Sequence, residues 1–268
     1  MTDTDPKDDF TRTMEGLERG LVVRTIMSTP LECIGLEDDP IAFFEKHADV
    51  GFDCAPVKGD GKLLGMVYSK DATKPCAVAS VMRPLHEVPL VSADTPIAEL
   101  IRSMTGEDKH FWLVLDGIEI NGIVTRSDLS RLPVRLLAAA RVIHLEQLLA
   151  RLIRLQVEGD SWMGVLSDER RAKIESINCD LRAKNENTDA LESTNFSDKL
   201  EILSKSLGRA IEAKALGGIV ELRNQLLHGR DAADDSQSVA KFLDRMQRID
   251  RHIALFTETL AARIDPAA

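Results

Sequence analysis

The stretch Gly122-Ile123-Val124-Thr125-Arg126-Ser127-Asp128 repeats, 57 residues further on, the pattern of Gly65-Met66-Val67-Tyr68-Ser69-Lys70-Asp71. In each, a glycine admits close backbone approach, an apolar run reads as a strand, and the residue that ends the strand is followed three positions later by an aspartate at the start of a helix. Working outward, Asp38-Asp39-Pro40-Ile41-Ala42 returns as Asp94-Thr95-Pro96-Ile97-Ala98, 56 residues on. Asp-x-Pro announces a helix, because aspartate caps and proline is tolerated in the first turn. Two motifs that keep register mark an internal repeat, each unit reading strand, helix, strand, strand, helix. Compact apolar runs such as Phe111 to Leu115 supply the strands.

The chain has 268 residues, enough for two domains with proper cores. With 44% hydrophobic and 29% charged residues it has the composition of an ordinary soluble protein, and its net charge of -10 argues against indiscriminate binding to nucleic acid or membranes. The acidity belongs to one half: residues 1 to 134 carry 14 basic and 23 acidic side chains, residues 135 to 268 carry 20 and 21. A nearly neutral, arginine-rich second half leaves room for a local basic groove. Cys33, Cys54, Cys76 and Cys179 are far apart and have no histidine cluster beside them, so neither a disulfide framework nor a metal site is expected. The polar, acidic first residues are the opposite of a secretory leader, and apolar runs such as Leu136 to Ile143 are too short to span a bilayer. The expected location is the cytoplasm. The expected division is a flexible acidic segment over 1–19, the two repeats over 20–75 and 76–133, and a third region over 134–268.

The paired units, closing on the pattern Gly-h-h-[Ser/Thr]-x-x-Asp with h apolar, from which the first departs only at Tyr68, resemble a tandem of cystathionine-β-synthase (CBS) domains, the Bateman module. The resemblance implies an α+β fold that senses an adenine-containing ligand such as AMP, ADP, ATP or S-adenosylmethionine. It implies that Thr125, with Arg126 and Ser127 in the same turn, meets phosphate, and that Asp128 accepts the ribose hydroxyls. Helix N-termini attract phosphate, and a carboxylate accepts from a diol, so the chemistry is sound. Asp71 is the matching anchor in the first unit. Tyr68 stands there in place of the threonine, so the second site is expected to be the better one.

After Pro133 the periodicity changes. Helices are expected over Val134 to Val157, from the Ser167 cap to Arg182, over Phe196 to Leu207, over Ile219 to His228 and over Val239 to Ile264, with a polar loop from Asn185 to Asn195. No strand pattern appears, so this half reads as an all-α helical bundle. Within Leu216 to Arg230, Gly217-Gly218 and Gly229 are expected to bound one helix, and Asn224 and His228, four apart, share a face beside Arg223. A guanidinium fork, an amide and an imidazole together suit a phosphodiester. A second arginine-to-histidine spacing, Arg245 to His252, lacks the polar residue.

An all-helical bundle with Arg-Asn-x-x-x-His on its penultimate helix resembles the HEPN family (higher eukaryotes and prokaryotes nucleotide-binding). That resemblance implies a metal-independent endoribonuclease of the toxin, defence or RNA-processing kind, with Arg223 on the scissile phosphate, His228 as general acid or base and Asn224 orienting it. One motif supplies one histidine, so a homodimer that brings two His228 side chains together is expected. The leucine face of the 134–157 helix and the amphipathic last helix also call for a partner. The partners expected are thus a second copy, an adenine nucleotide and RNA, with no DNA sequence recognition, no membrane and no required cofactor. Two readings follow: a nucleotide-regulated ribonuclease, or a non-catalytic sensor whose helical half only dimerises or holds another protein.

Overall fold

The structure, a computed structural model, describes residues 7–49, 51–106, 110–184, 186, 189–227 and 236–264. The chain divides into two compact units, Glu18–Pro133 and Met1–Leu17 with Val134–Ala268.

The first unit holds two small mixed sheets with helices. In one, strand β1 (Ile34–Gly35) runs parallel to β2 (Cys54–Gly59), which pairs antiparallel with β3 (Lys62–Tyr68), and β3 with β4 (Arg83–Pro84). In the other, β5 (Leu90–Ser92) runs parallel to β6 (Phe111–Asp116), and β6 pairs antiparallel with β7 (Glu119–Thr125). Helix α2 (Pro40–Lys46) begins at the Asp39 cap, and α3 (Ile97–Gly106) follows the second Asp-x-Pro. The repeat extends to irregularities: a register shift between Val57 and Lys58 recurs between Val114 and Leu115.

The two repeats exchange their leading segments. Ser28, near the start of the first repeat, trades backbone hydrogen bonds of 2.8 and 3.0 Å with Ile123 on β7, while Arg83, near the start of the second, pairs with Met66 on β3. The motif glycines are where these crossings pass. A Cβ on Gly65 would stand 2.0 Å from the Arg83 carbonyl oxygen, and one on Gly122 2.7 Å from Met27 Sδ. Apolar side chains of both sheets meet in one buried cluster of Met66, Val88, Phe111 and Leu113, while Ile34, Ala55, Val57, Val67 and Val78 form another on the first sheet.

The closing helices expected after each motif are short. Ser69–Asp71 and Arg126–Ser130 are 3-10 turns of three and five residues, and the second gives way almost at once to a long helix that begins at Leu132 with Pro133 in its first turn, where proline is tolerated.

The second unit is all-helical among its described residues. Helix α1 (Lys7–Gly20) lies where a flexible segment was expected; its polar composition hides the apolar stripe that buries Met14. Helix α4 (Leu132–Gln156) buries Leu137, Leu145, Leu148, Leu149 and Leu152, although Leu155, expected on that face, is 52% exposed. Helix α5 (Asp168–Ala183) starts at the Ser167 cap, and α6 (Phe196–Lys205) at a capping box of Asn195 and Asp198. Trp162 is buried ahead of α5. Helix α7 (Ala210–Leu227) packs on α6 and on α8 (Ser236–Ile264). Gly217 and Gly218 do not bound α7 but lie in its middle. Each glycine costs a helix about 1 kcal/mol relative to alanine, and complete burial of the neighbouring Leu216, Ile219 and Leu222 outweighs that. No described helix is long and apolar enough to cross a membrane.

Candidate functional site

At the end of β7 the backbone turns, and Asp128 folds back on the strand. Its Oδ2 accepts from the Thr125 amide at 2.7 Å and from the Thr125 hydroxyl at 2.9 Å. Because the single hydroxyl proton of Thr125 goes to Asp128, Ser127 donates its own across their 2.7 Å contact. Oδ1 faces Arg131 Nη2 at 2.8 Å, and the Asp128 side chain is 7% exposed. Arg131 also donates from Nη1 to the Met27 carbonyl at 3.2 Å and from Nη2 to Ser28 Oγ at 2.7 Å. The turn thus gathers Thr125, Ser127 and Asp128, with Arg126 next to Thr125 in the chain. Arg131 joins them; its position three residues beyond Asp128 is the signal that finds it.

The first repeat is arranged differently. Tyr68 packs at 5.9 Å from the Phe111 ring, Arg83 lies over its face at 4.4 Å, and the Lys70 ammonium is 5.6 Å from its centroid. Burial pushes the Tyr68 phenol above its ordinary range. Arg83 Nη2 meets Asp71 Oδ2 at 3.0 Å. The aspartate thus contacts a guanidinium, and the aromatic ring occupies the place of the second repeat's hydroxyl.

In the helical unit, Arg223 and Asn224 stand together near the C-terminal end of α7, Arg223 one-third exposed and Asn224 exposed. His228 lies outside the described residues. Arg223 Nε faces Glu146 Oε2 at 3.7 Å, and the other oxygen of Glu146 takes Lys199 Nζ at 3.1 Å. Lys199, 5% exposed, also donates to the Thr194 carbonyl at 2.8 Å. Burial lowers its pKa, with Glu146 acting in the opposite direction. Sequence reasoning overlooked Glu146 and Lys199. Glu146 is the lone acid in the leucine-rich run of α4, and Lys199 sits at a core position of α6.

Residues 78–135 match the family model described as CBS domain. The N-terminal half is a CBS domain pair. The match covers the second repeat, and the first repeats its strand order, its register shift and its crossing glycine. Similar solved structures include the CBS domain of the bacterial CNNM/CorC family Mg2+ transporter in complex with ATP, 20% identical, with 47% of this chain and 94% of that one covered at a TM-score of 0.36. A CBS domain pair in complex with 5′-methylthioadenosine and S-adenosyl-L-methionine is 23% identical over 41% of this chain and 98% of its own, TM-score 0.36. A conserved CBS domain protein of Thermoplasma acidophilum is 21% identical over 41% and 68%, TM-score 0.36. Among curated proteins none matches the chain.

Proposed function

We propose that the CBS pair senses an adenine nucleotide at the Thr125–Asp128 turn and thereby controls the helical half of the chain. The observation that carries the reading is Asp128: a nearly buried carboxylate at a strand end, held by the Thr125 amide and hydroxyl, in the repeat that the CBS model matches. Burying an ionised group is costly unless it is fully bonded, and a ribose diol is a donor pair suited to such an acceptor. The first repeat is the weaker candidate, since Tyr68, with Arg83 over its ring, stands where the second repeat has the Thr125 hydroxyl. Calorimetric titration of AMP, ADP, ATP and S-adenosylmethionine into the full chain tests the reading. Binding of at least one, weakened in Asp128→Ala, supports it; no binding of any of the four refutes it.

A second reading concerns what is controlled. Arg223 and Asn224 stand side by side at the protein surface, with Glu146 facing Arg223 at Nε, so that the guanidinium can present its terminal nitrogens to a phosphate. In this reading the helical half is a metal-independent endoribonuclease that works as a homodimer. One His228 takes the proton of the RNA 2′-hydroxyl, and the oxygen attacks phosphorus. The bond to the 5′-oxygen breaks, and the partner copy's equivalent histidine returns a proton to that leaving oxygen, leaving a 2′,3′-cyclic phosphate. The alternative is a non-catalytic half that dimerises or holds another protein. Assay of RNA cleavage in EDTA, with and without nucleotide, separates the two.

A further inference from the structure

The anchor aspartate of each repeat is tied by an arginine to the segment that crosses from the other repeat. In the second repeat Arg131 bridges Asp128 to Met27 and Ser28. In the first, Arg83 belongs to the crossing strand β4 itself and reaches Asp71. The two arginines occupy unrelated places in the repeat, three and twelve residues from their aspartates, yet they make the same kind of bridge.

The bridge restricts what can bind. Both Oδ2 contacts of Asp128 go to Thr125 and Oδ1 goes to Arg131, so a ribose diol gains the carboxylate by taking Arg131's place. For a neutral nucleoside that exchange is poor: an ion pair at a nearly buried carboxylate is lost, and the guanidinium gains nothing. A nucleotide carries its own anion, on which the displaced guanidinium can settle bidentately. The hydroxyls of the turn offer phosphate little. The Thr125 proton is committed to Asp128, and the turn that follows spans only five residues. The Arg131 side chain is 41% exposed and has room to move.

We propose that Arg131 is a specificity-determining residue of this site. Without nucleotide it holds Asp128 and the crossing segment; when nucleotide enters it passes to the phosphate. The site therefore takes phosphorylated adenosine in preference to adenosine, and in preference to S-adenosylmethionine, which carries a cationic sulfonium at the 5′ position where a nucleotide carries phosphate. The proposal rests on the nucleotide reading above and narrows it.

Calorimetric titration of AMP and adenosine into wild-type full chain, Arg131→Ala and Arg131→Lys tests it. Wild type should prefer AMP by about tenfold or more, the worth of one charge-assisted contact. Arg131→Ala should lose that preference through weaker AMP binding and equal or tighter adenosine binding, since the competitor for Asp128 is gone. Arg131→Lys should retain most of it. Should Arg131→Ala not fold by circular dichroism, Arg131→Gln carries the same expectation. If AMP and adenosine weaken in parallel, or the preference survives in the neutral variant, the role of Arg131 is overturned while the nucleotide reading stands. If wild type binds no adenine compound, both fall.

Discussion

Gly65 lies so close to Arg83 that a Cβ on the glycine would stand 2.0 Å from the Arg83 carbonyl oxygen. The obstacle is backbone, held in place by the pairing of β3 with β4, and cannot swing aside as a side chain would. Gly65→Ala should therefore cost about 2 kcal/mol or more, at the upper end of overpacking changes. Gly122→Ala should cost less, because it meets the flexible Met27 side chain. Urea unfolding of the two variants measures the difference, and equal costs would contradict the crossing as the reason for the motif glycine.

Lys199 and Glu146 make a second test. Glu146→Gln leaves the Lys199 ammonium nearly buried without its carboxylate and should cost about 2 kcal/mol or more by urea unfolding. The pH dependence has a definite sign. The native chain holds Lys199 below its ordinary range, so between that lowered pKa and the unfolded chain's value near ~10.4 it binds fewer protons than the unfolded chain. Wild-type stability, taken relative to Lys199→Met, should be level at lower pH and rise across that interval. A fall across it would mean that Glu146, and not burial, dominates.

Much of this architecture was legible in the sequence, for physical reasons. The repeat shows because the crossing glycines and the anchor aspartates are constrained at fixed spacing, and the helices of the second half show because each buries a stripe. The helix formed by Lys7–Gly20 did not show, since its polar residues mask the periodicity around Met14. Nor did the full length of α7: local glycine propensity pointed to a boundary at Gly217, and tertiary burial of Leu216 and Ile219 overrode it. The candidate site was half legible. Thr125 and Asp128 announce themselves and Arg131 lies three residues beyond Asp128, whereas the tie of Arg131 to Met27 and Ser28, and the engagement of Arg223 by Glu146, depend on how the chain folds back on itself.

Asp128→Ala should weaken nucleotide binding roughly tenfold to a hundredfold, the worth of a charged acceptor for two hydroxyls. Asp71→Ala should matter less, because Tyr68 replaces the hydroxyl in the first repeat. Parallel titrations of the two variants decide it, and an Asp71→Ala effect as large as that of Asp128→Ala would assign the ligand to the first repeat.

If the helical half is a ribonuclease, His228→Ala should lower the rate of RNA cleavage in EDTA by roughly 10²- to 10⁴-fold, and Arg223→Ala by a similar factor. The wild-type rate should trace a bell in pH, since one imidazole must be neutral while its partner is charged. DNA should be spared, lacking the 2′-hydroxyl. A monomer by sedimentation at micromolar concentration, or cleavage unchanged in His228→Ala, would leave the non-catalytic reading.

The central claim is that nucleotide at the CBS pair acts on the helical half, and hydrogen–deuterium exchange of the full chain reads this most directly. With AMP or ATP at saturation, protection should change at the Thr125–Asp128 turn and also in peptides of α7 and α8. Nucleotide binding with every exchange difference confined to residues 18–133 would contradict the account.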